Sequence, residues 1–273
     1  YVDTLAHNRA IQMLVVSAST DKLFMSTMSN STVMICLFGI IFGNYAAFSS
    51  YSQITSIPIA LISILLMNKI ARQMGQKASM MTGTYGGIIG SIIITLFLVF
   101  VNPKGDATKF AIPAFRIIRP DTWGTLFTGW SAVGLIFILL VIAWRGVQAL
   151  SSSIVITMTA DCADYEVYRT GKYVPGLMGT LFSFVDKLVS SFAPMVAGVM
   201  FSMCGYTDHN PVMGDPVTPG LRMGVVFCAY GMIMIGLVCN LIAMKFYPLT
   251  KEKMEEIQDE VAQIKMKAMA ENA

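Results

Sequence analysis

Six long apolar stretches, separated by shorter polar segments, dominate the chain. Each one is long enough to cross the roughly 30 Å hydrocarbon core of a bilayer as a helix, for which about 20 apolar residues suffice. The pattern therefore predicts an all-α polytopic membrane protein whose residues 1–248 form a bundle of six transmembrane helices. The predicted spans are residues 9–45, 46–70, 79–101, 125–160, 176–203 and 221–247.

Details within these stretches predict how the helices run. A straight helix over residues 9–45 would measure about 55 Å, so we expect it to be tilted, kinked or to protrude. Pro58 is a candidate kink in the second span. In the third span, glycines 83, 86, 87 and 90 favour close approach of a neighbouring helix. Gly75 lies in a basic turn over residues 69–77 and permits a short chain reversal.

The tail, residues 249–273, has a different pattern. Met254, Ile257, Val261 and Ile264 recur at helical spacing, and the other faces are rich in charged and amide side chains. We predict a short amphipathic helix that lies in the cytoplasm or on the membrane surface.

Composition supports the membrane class. Hydrophobic residues make up 55% of the chain and charged residues 13%, whereas a soluble domain is about one quarter charged. The net charge of +3 is too small to indicate a nucleic-acid partner. The five cysteines show no metal or disulfide spacing, and His7 and His209 fall at opposite ends of the predicted topology. We expect no metal, no cofactor and no catalytic residues, so an enzyme is disfavoured.

The distribution of basic residues predicts an orientation. Six spans place both ends of the segment on one side of the membrane. The side that holds Arg9, the 69–77 turn, residues 161–172 and the tail carries most of the 19 Lys and Arg residues. By the positive-inside rule, we expect this side to be the cytoplasm of a multi-pass cell-membrane protein.

A polar segment, residues 161–172, interrupts the apolar pattern between the fourth and fifth spans. It contains Asp161, Asp164, Glu166, Arg169 and Lys172. We interpret it as a short loop at the membrane face, in which the charged side chains form an ion-pair network.

Charged residues also occur inside the predicted spans. Asp21, Arg145 and Lys187 lie about 18, 24 and 16 Å from the ends of their helices, which is the middle third of the membrane. Charge at that depth is costly unless it is paired or hydrated. Three charged helices that converge at one depth therefore predict a hydrated central cavity for substrate.

Three further residues belong to this prediction. Asp186 precedes Lys187, and Lys22 follows Asp21. Adjacent residues on a helix point about 100° apart, so cross-helix pairs are expected, such as Asp21 with Lys187 or Arg145 with Asp186. Trp144 offers an aromatic face for a sugar ring, although a Trp in the helix core is the simpler interpretation.

Several motifs together resemble a known family. The segment Asp161-Cys-Ala-Asp-Tyr-Glu-Val-Tyr-Arg-Thr-Gly-Lys, followed by Phe182-Ser183 and Lys187, is similar to the signature of the glycoside–pentoside–hexuronide:cation symporters. This family is the melibiose-permease-like branch of the major facilitator superfamily. Asn8-Arg9 and Tyr247-Pro-Leu-Thr resemble its entry to helix seven and its exit from helix twelve.

The resemblance implies that the chain is the C-terminal bundle of a twelve-helix major facilitator fold. It implies that Lys187 is the lysine that reaches the central cavity from helix eleven. It also implies a cytoplasmic gate, whose candidate residues are Asp161, Asp164, Tyr165, Arg169, Lys172, Arg72 and Lys77. The coupling-ion site is expected on the N-terminal half, outside this chain. Glu166-Val167 stands where the family has Gly-Glu, which leaves the substrate open.

The expected function is cation-coupled symport of a sugar or glycoside by alternating access, driven by Na⁺ or H⁺. The expected partners are the small-molecule sugar, membrane lipid and the protein's own N-terminal six-helix bundle, and no nucleic acid. A different amphiphilic substrate, such as a lipid or a sulfonated sugar, is the alternative within transport. A non-transporting membrane sensor with the same fold is the alternative outside it.

Overall fold

The computed structural model describes residues 7–112, 129–171 and 175–271. Throughout these ranges the chain is helix, turn or loop, and no strand occurs in them. The helices are α1 (Arg9–Met28), α2 (Ser31–Met34), α3 (Tyr45–Met74), α4 (Gln76–Val101), α5 (Ala132–Thr170), α6 (Pro175–Ser191), α7 (Ala193–Met203), α8 (Pro219–Val226), α9 (Met232–Phe246) and α10 (Lys251–Glu271). Two π-helical turns, Ile35–Ile41 and Phe227–Gly231, and a 3₁₀ turn, Ala107–Phe110, complete them.

Five of the helical stretches described are long and apolar enough to cross a membrane. They are Tyr45–Met74, Gln76–Val101, Ala132–Thr170, Gly179–Met203 and Pro219–Phe246. Arg9–Met28 and Ser31–Ile41 pass the same test together and meet at a bend of 51°, which gives a sixth span if the pair is counted as one. The kink expected in the first stretch is thus present, at Ser29 and Asn30, where the Asn30 side chain caps the next helix.

The prediction of a loop over the polar segment is wrong, because α5 continues through it to Thr170. Residues 161–170 contain neither Gly nor Pro, and polar side chains alone do not stop a helix. The helix ends at Gly171, which adopts a left-handed conformation with φ +68° and donates its N–H to Val167 O. Lys172 lies outside the described residues, as do residues 113–128 of the predicted polar loop and start of the fourth span.

Close packing of α4 on α5 organises the bundle. A Cβ atom on Gly86 would lie 2.5 Å from Val147 Cγ1, and one on Gly90 would lie 2.6 Å from Trp144 Cδ1. The small-residue face predicted in the third span therefore does permit close approach, as the sequence indicated. α9 packs against α1 and α4, and α3 packs against α5.

Two apolar clusters fill the interior. One contains an aromatic group in which Phe42 contacts Phe48, Phe110 and Phe137, with ring centroids 4.3–4.7 Å apart. The other lies where α1, α5 and α10 meet. Outward-facing apolar side chains such as Leu65 remain exposed, as expected for a surface that meets lipid or another helical bundle.

The tail folds onto the bundle. The predicted amphipathic helix is present as α10, and Met254, Ile257 and Val261 are at most 8% exposed within the second cluster. Its apolar face is therefore covered by the chain itself, which differs from a helix lying free on a membrane surface. We call this end of the molecule, where Asn8, Gly75 and α10 meet, the tail end.

Candidate functional site

A cleft of about 280 Å³ opens between α1, α5 and α6, part-way along the bundle. Both polar and apolar side chains line it. It is lined by Ala18, Ser19, Val155, Phe182, Ser183, Val185, Asp186 and Lys187. Hydroxyl groups, a carboxylate, an ammonium group and an aromatic ring thus surround one space, which suits a small polar solute with an apolar face.

An ion pair lies at the cleft. Lys22 Nζ is 2.9 Å from Asp186 Oδ1, and the two side chains are 42% and 43% exposed. This pair joins α1 to α6. The sequence-based pairing of Asp21 with Lys187 and of Arg145 with Asp186 does not occur, because Lys22 rather than Asp21 points from α1 toward α6.

Lys187 occupies the exposed face of α6. Among the described residues, its ammonium group has no ion-pair or hydrogen-bond partner, and only its backbone carbonyl accepts a bond, from Ser190 Oγ. Since Asp186 and Lys187 are adjacent, their side chains diverge on the helix, and one is paired while the other is open. The cleft therefore carries an available cation at its edge.

Asp21 belongs to a separate polar network within the bundle. Its Oδ2 accepts a hydrogen bond from Asn240 Nδ2 at 2.9 Å. The same amide group also donates to Thr84 Oγ1 at 3.2 Å, and Asn240 Oδ1 accepts from Ser17 Oγ at 2.9 Å. Ser17, Thr84 and Asn240 are fully buried, so the network ties α1, α4 and α9 together in the apolar interior.

The structure does not place Trp144 at the cleft. Its side chain is 3% exposed, and its Nε1 donates to Ser91 Oγ at 2.9 Å and to Gly87 O at 3.2 Å. Because the indole fills the α4–α5 interface, it has no free face for a sugar ring. The neighbouring Arg145 donates from Nη1 to Ser52 O at 3.1 Å, which directs it toward α3.

At the tail end, two of the predicted gate cations already have partners in this chain. Lys77 Nζ donates to Tyr247 O at 2.6 Å. Arg169 contacts the Glu166 carboxylate at 3.1 Å and donates to His7 O at 2.8 Å.

The remaining described gate candidates differ in exposure. Asp161 is 7% exposed and lines a cleft of about 170 Å³ between the ends of α3 and α10, together with Gln76. The Tyr165 ring stacks on Tyr168 with centroids 6.3 Å apart, and Asp164 is half-buried. Arg72 is exposed.

Sequence reasoning missed four polar residues that the structure makes central. Asn8 caps α1 and donates to Glu166 Oε2 at 2.7 Å, although both side chains are at most 3% exposed. Ser17 stood out only as part of a polar stretch, and Thr84 and Asn240 were passed over because an isolated polar residue in an apolar run has no local partner. Its position in such a run was the available signal, since a polar group in a membrane helix needs a partner from another helix.

The sequence matches the family model described as MFS/sugar transport protein over residues 2–251. The chain belongs to the MFS sugar transport family. This membership agrees with the resemblance found in the motifs and with the all-α membrane fold.

The chain is also similar to individual transport proteins. It is 29% identical to a glucuronide carrier protein homolog of Escherichia coli (strain K12) over 143 residues, which are 51% of this chain and 30% of the relative. It is 21% identical to an isoprimeverose transporter of Lactiplantibacillus pentosus over 79% of this chain and 36% of the relative. It is 27% identical to an uncharacterized symporter of Bacillus subtilis (strain 168) over 64% of this chain and 37% of the relative. The chain thus spans about a third of the length of these curated relatives.

Proposed function

We propose that the complete protein is a secondary active transporter that couples uptake of a sugar or glycoside to Na⁺ or H⁺. The observation that carries the proposal is the cleft between α1, α5 and α6, with its paired Lys22 and Asp186 and its open Lys187. Charged groups at this depth are expected to face a hydrated pathway rather than lipid. The names of the relatives, a carrier, a transporter and a symporter, support transport over catalysis.

In this proposal, residues 1–273 contribute the C-terminal six-helix bundle of a twelve-helix transporter. The α6 face that presents Lys187 would then meet the N-terminal bundle across the substrate pathway, and the two bundles would rock around it. We expect residues 1–273 alone to show no uptake, because the cleft would lack its second wall. Sugar uptake by that segment in proteoliposomes would contradict this assignment.

The tail end is proposed to face the cytoplasm. The tail end gathers Arg9, the 69–77 turn, the end of α5 and α10, which together hold nine of the 19 Lys and Arg residues. Of the gate candidates, Arg72 is exposed and available to contact the other bundle, whereas Lys77 and Arg169 serve contacts within this chain. Alkaline phosphatase fused after residue 273 should be inactive, and an active fusion would reverse the orientation.

An acidic sugar is the second candidate substrate within the same mechanism. Lys187 has no partner among the described residues, and an ammonium group of this kind binds a carboxylate or sulfonate by a charge-assisted hydrogen bond. One relative is named as a glucuronide carrier, which is consistent with such a substrate.

Uptake by the complete protein in proteoliposomes tests these proposals. The panel should include neutral glycosides, pentosides, hexuronides and a sulfonated sugar, each with and without a Na⁺ or pH gradient. We expect one class to accumulate, and Lys187→Ala to reduce its uptake about 10- to 100-fold, corresponding to roughly 1.5–3 kcal/mol for a bond to a charged group. Lys104→Ala, in an exposed loop, is the matched control. No uptake of any class would favour a lipid carrier or a sensor.

A further inference from the structure

Asp21 is a carboxylate with only neutral contacts. Its Oδ2 accepts from the Asn240 amide, and no Lys or Arg nitrogen lies within 4 Å of it among the residues that the structure describes. An ionised carboxylate held this way in a bundle interior is costly, and protonation removes that cost. Asp21 therefore differs from Asp186, whose charge is balanced by Lys22.

The network fixes how Asn240 faces Asp21. Ser17 Oγ donates to Asn240 Oδ1, so the amide oxygen points away from the carboxylate. The amide nitrogen points toward Asp21 Oδ2 and also donates to Thr84 Oγ1. The Thr84 hydroxyl is held in turn, since it donates to Met80 O at 2.8 Å.

This orientation favours a proton over Na⁺ at the Asp21 carboxylate. A Na⁺ ion needs several oxygen ligands directed at it, whereas Asn240 presents N–H hydrogens. A proton needs only the free carboxylate oxygen, Oδ1. Protonation forms one O–H bond at Oδ1, with hydronium giving up the proton and leaving as water.

A small cavity adjoins the carboxylate. Its volume is about 30 Å³, and it is lined by Asp21, Gln148, Ser151 and the apolar residues Phe24, Met25, Ile233 and Leu237. The space is enough for one water molecule beside the carboxylate, although most of the wall is apolar.

Among the described residues, no Lys or Arg on the helices around Asp21 forms an ion pair with it. Lys22 on the same helix is paired with Asp186 of α6, and Arg145 of α5 is bonded to Ser52 O. Lys187 of α6 is exposed. The cations of α4 and α9, Lys77 and Lys245, lie near the helix ends at the tail end of the molecule. The network residues Thr84 and Asn240 lie farther along these two helices, and Asn240 bonds both to Asp21 and to Thr84.

We propose that Asp21 is a proton-binding site within this bundle, separate from the coupling-ion site expected on the other half of the transporter. The role of this site rests on the proposed transport function: proton binding at Asp21 makes sugar accumulation depend on a pH gradient. Proton binding itself is independent of the substrate. Asn240 acts as a positioning residue, because it touches Asp21 and directs which carboxylate oxygen stays free.

Infrared difference spectroscopy of the complete purified protein tests proton binding directly. Titration over about pH 5 to 9 should show a protonated-carboxyl C=O band that is absent from Asp21→Asn and unchanged in Asp208→Asn. Asp208 lies in an exposed loop and is the matched control. Asn240→Leu should move the pH at which the band appears. If Asp21→Asn removes no band, the proposal is overturned.

Transport measurements then test the role. Asp21→Asn, which mimics the neutral form, should retain sugar exchange across the membrane and lose accumulation driven by a pH gradient. Accumulation equal to the wild type, with the same pH profile, would rule out coupling at Asp21. If no sugar is transported at all, the infrared titration still decides whether Asp21 binds a proton, so the two proposals fail separately.

Discussion

Lys22 Nζ lies 2.9 Å from Asp186 Oδ1, and this contact joins α1 to α6 beside the cleft. Both side chains are nearly half exposed, so solvent screens the pair and its direct contribution to stability is small. The pair links two helices that line the cleft, so a large separation of α6 from α1 would break it.

Exchange of the two charges tests this relationship. Lys22→Ala and Asp186→Ala should each reduce uptake by the complete protein, and Lys22→Asp combined with Asp186→Lys should recover part of it. A double-mutant cycle should give a coupling energy of about 0.5–1 kcal/mol. Additive single effects, without recovery in the exchanged pair, would show that the contact has no role in transport.

Glu166 connects the start of α1 to the end of α5. It accepts from Asn8 at 2.7 Å and from Arg169, and it is 3% exposed. Glu166→Ala leaves the Asn8 amide without this acceptor, which should lower the free energy of unfolding by about 1–3 kcal/mol. Thermal unfolding in detergent measures the change. Glu256→Ala, on the exposed side of α10, should stay within about 0.5 kcal/mol, and an equal loss there would refute the assignment.

The tail helix should depend on Ile257. This side chain is fully buried. Ile257→Ala should lower the free energy of unfolding by about 2–5 kcal/mol and release α10 from the bundle. Limited proteolysis should then cut the tail faster than in the wild type. The exposed Glu260 gives the control, since Glu260→Ala should leave the cleavage rate unchanged. Unaltered cleavage in both variants would mean that the burial of Ile257 does not hold the tail.

Two glycines should respond in opposite directions to the same substitution. A Cβ atom at Gly90 would lie 2.6 Å from the Trp144 ring, whereas nothing lies within 4 Å of one at Gly198. Gly90→Ala should therefore separate α4 from α5 and lower the unfolding temperature. Gly198→Ala should raise stability by up to about 1 kcal/mol through helix propensity. The same sign for both would contradict the close packing of α4 on α5.

Trp144 should affect stability rather than substrate affinity. Trp144→Phe removes the hydrogen bonds from Nε1 to Ser91 and Gly87. The buried Ser91 hydroxyl loses its donor, so the unfolding temperature should fall, while the KM for the transported sugar stays at the wild-type value. A rise in KM without a change in unfolding temperature would indicate that Trp144 contacts the substrate.

Much of the fold was predictable because it depends on local sequence. Spans of apolar residues require helices in a bilayer, where each backbone polar group must be paired within its own segment. The small-residue face around Gly86 and the amphipathic tail follow from residue spacing. The length of the first stretch indicated a tilt, a kink or a protrusion, and the structure has a bend after Met28. The polar segment was predicted incorrectly because charge marks a change of environment, whereas a helix ends only where the backbone is redirected, here at Gly171.

The sequence by itself therefore determined the membrane class, the helices and the set of charged residues that had to find partners. Only the tertiary structure decided the partners: Lys22 with Asp186, Asp21 with Asn240, and Trp144 with Ser91. The physical reason is geometric. Which face of a helix meets which neighbour depends on packing between segments far apart in the chain, and a rotation of about 100° exchanges one residue for the next.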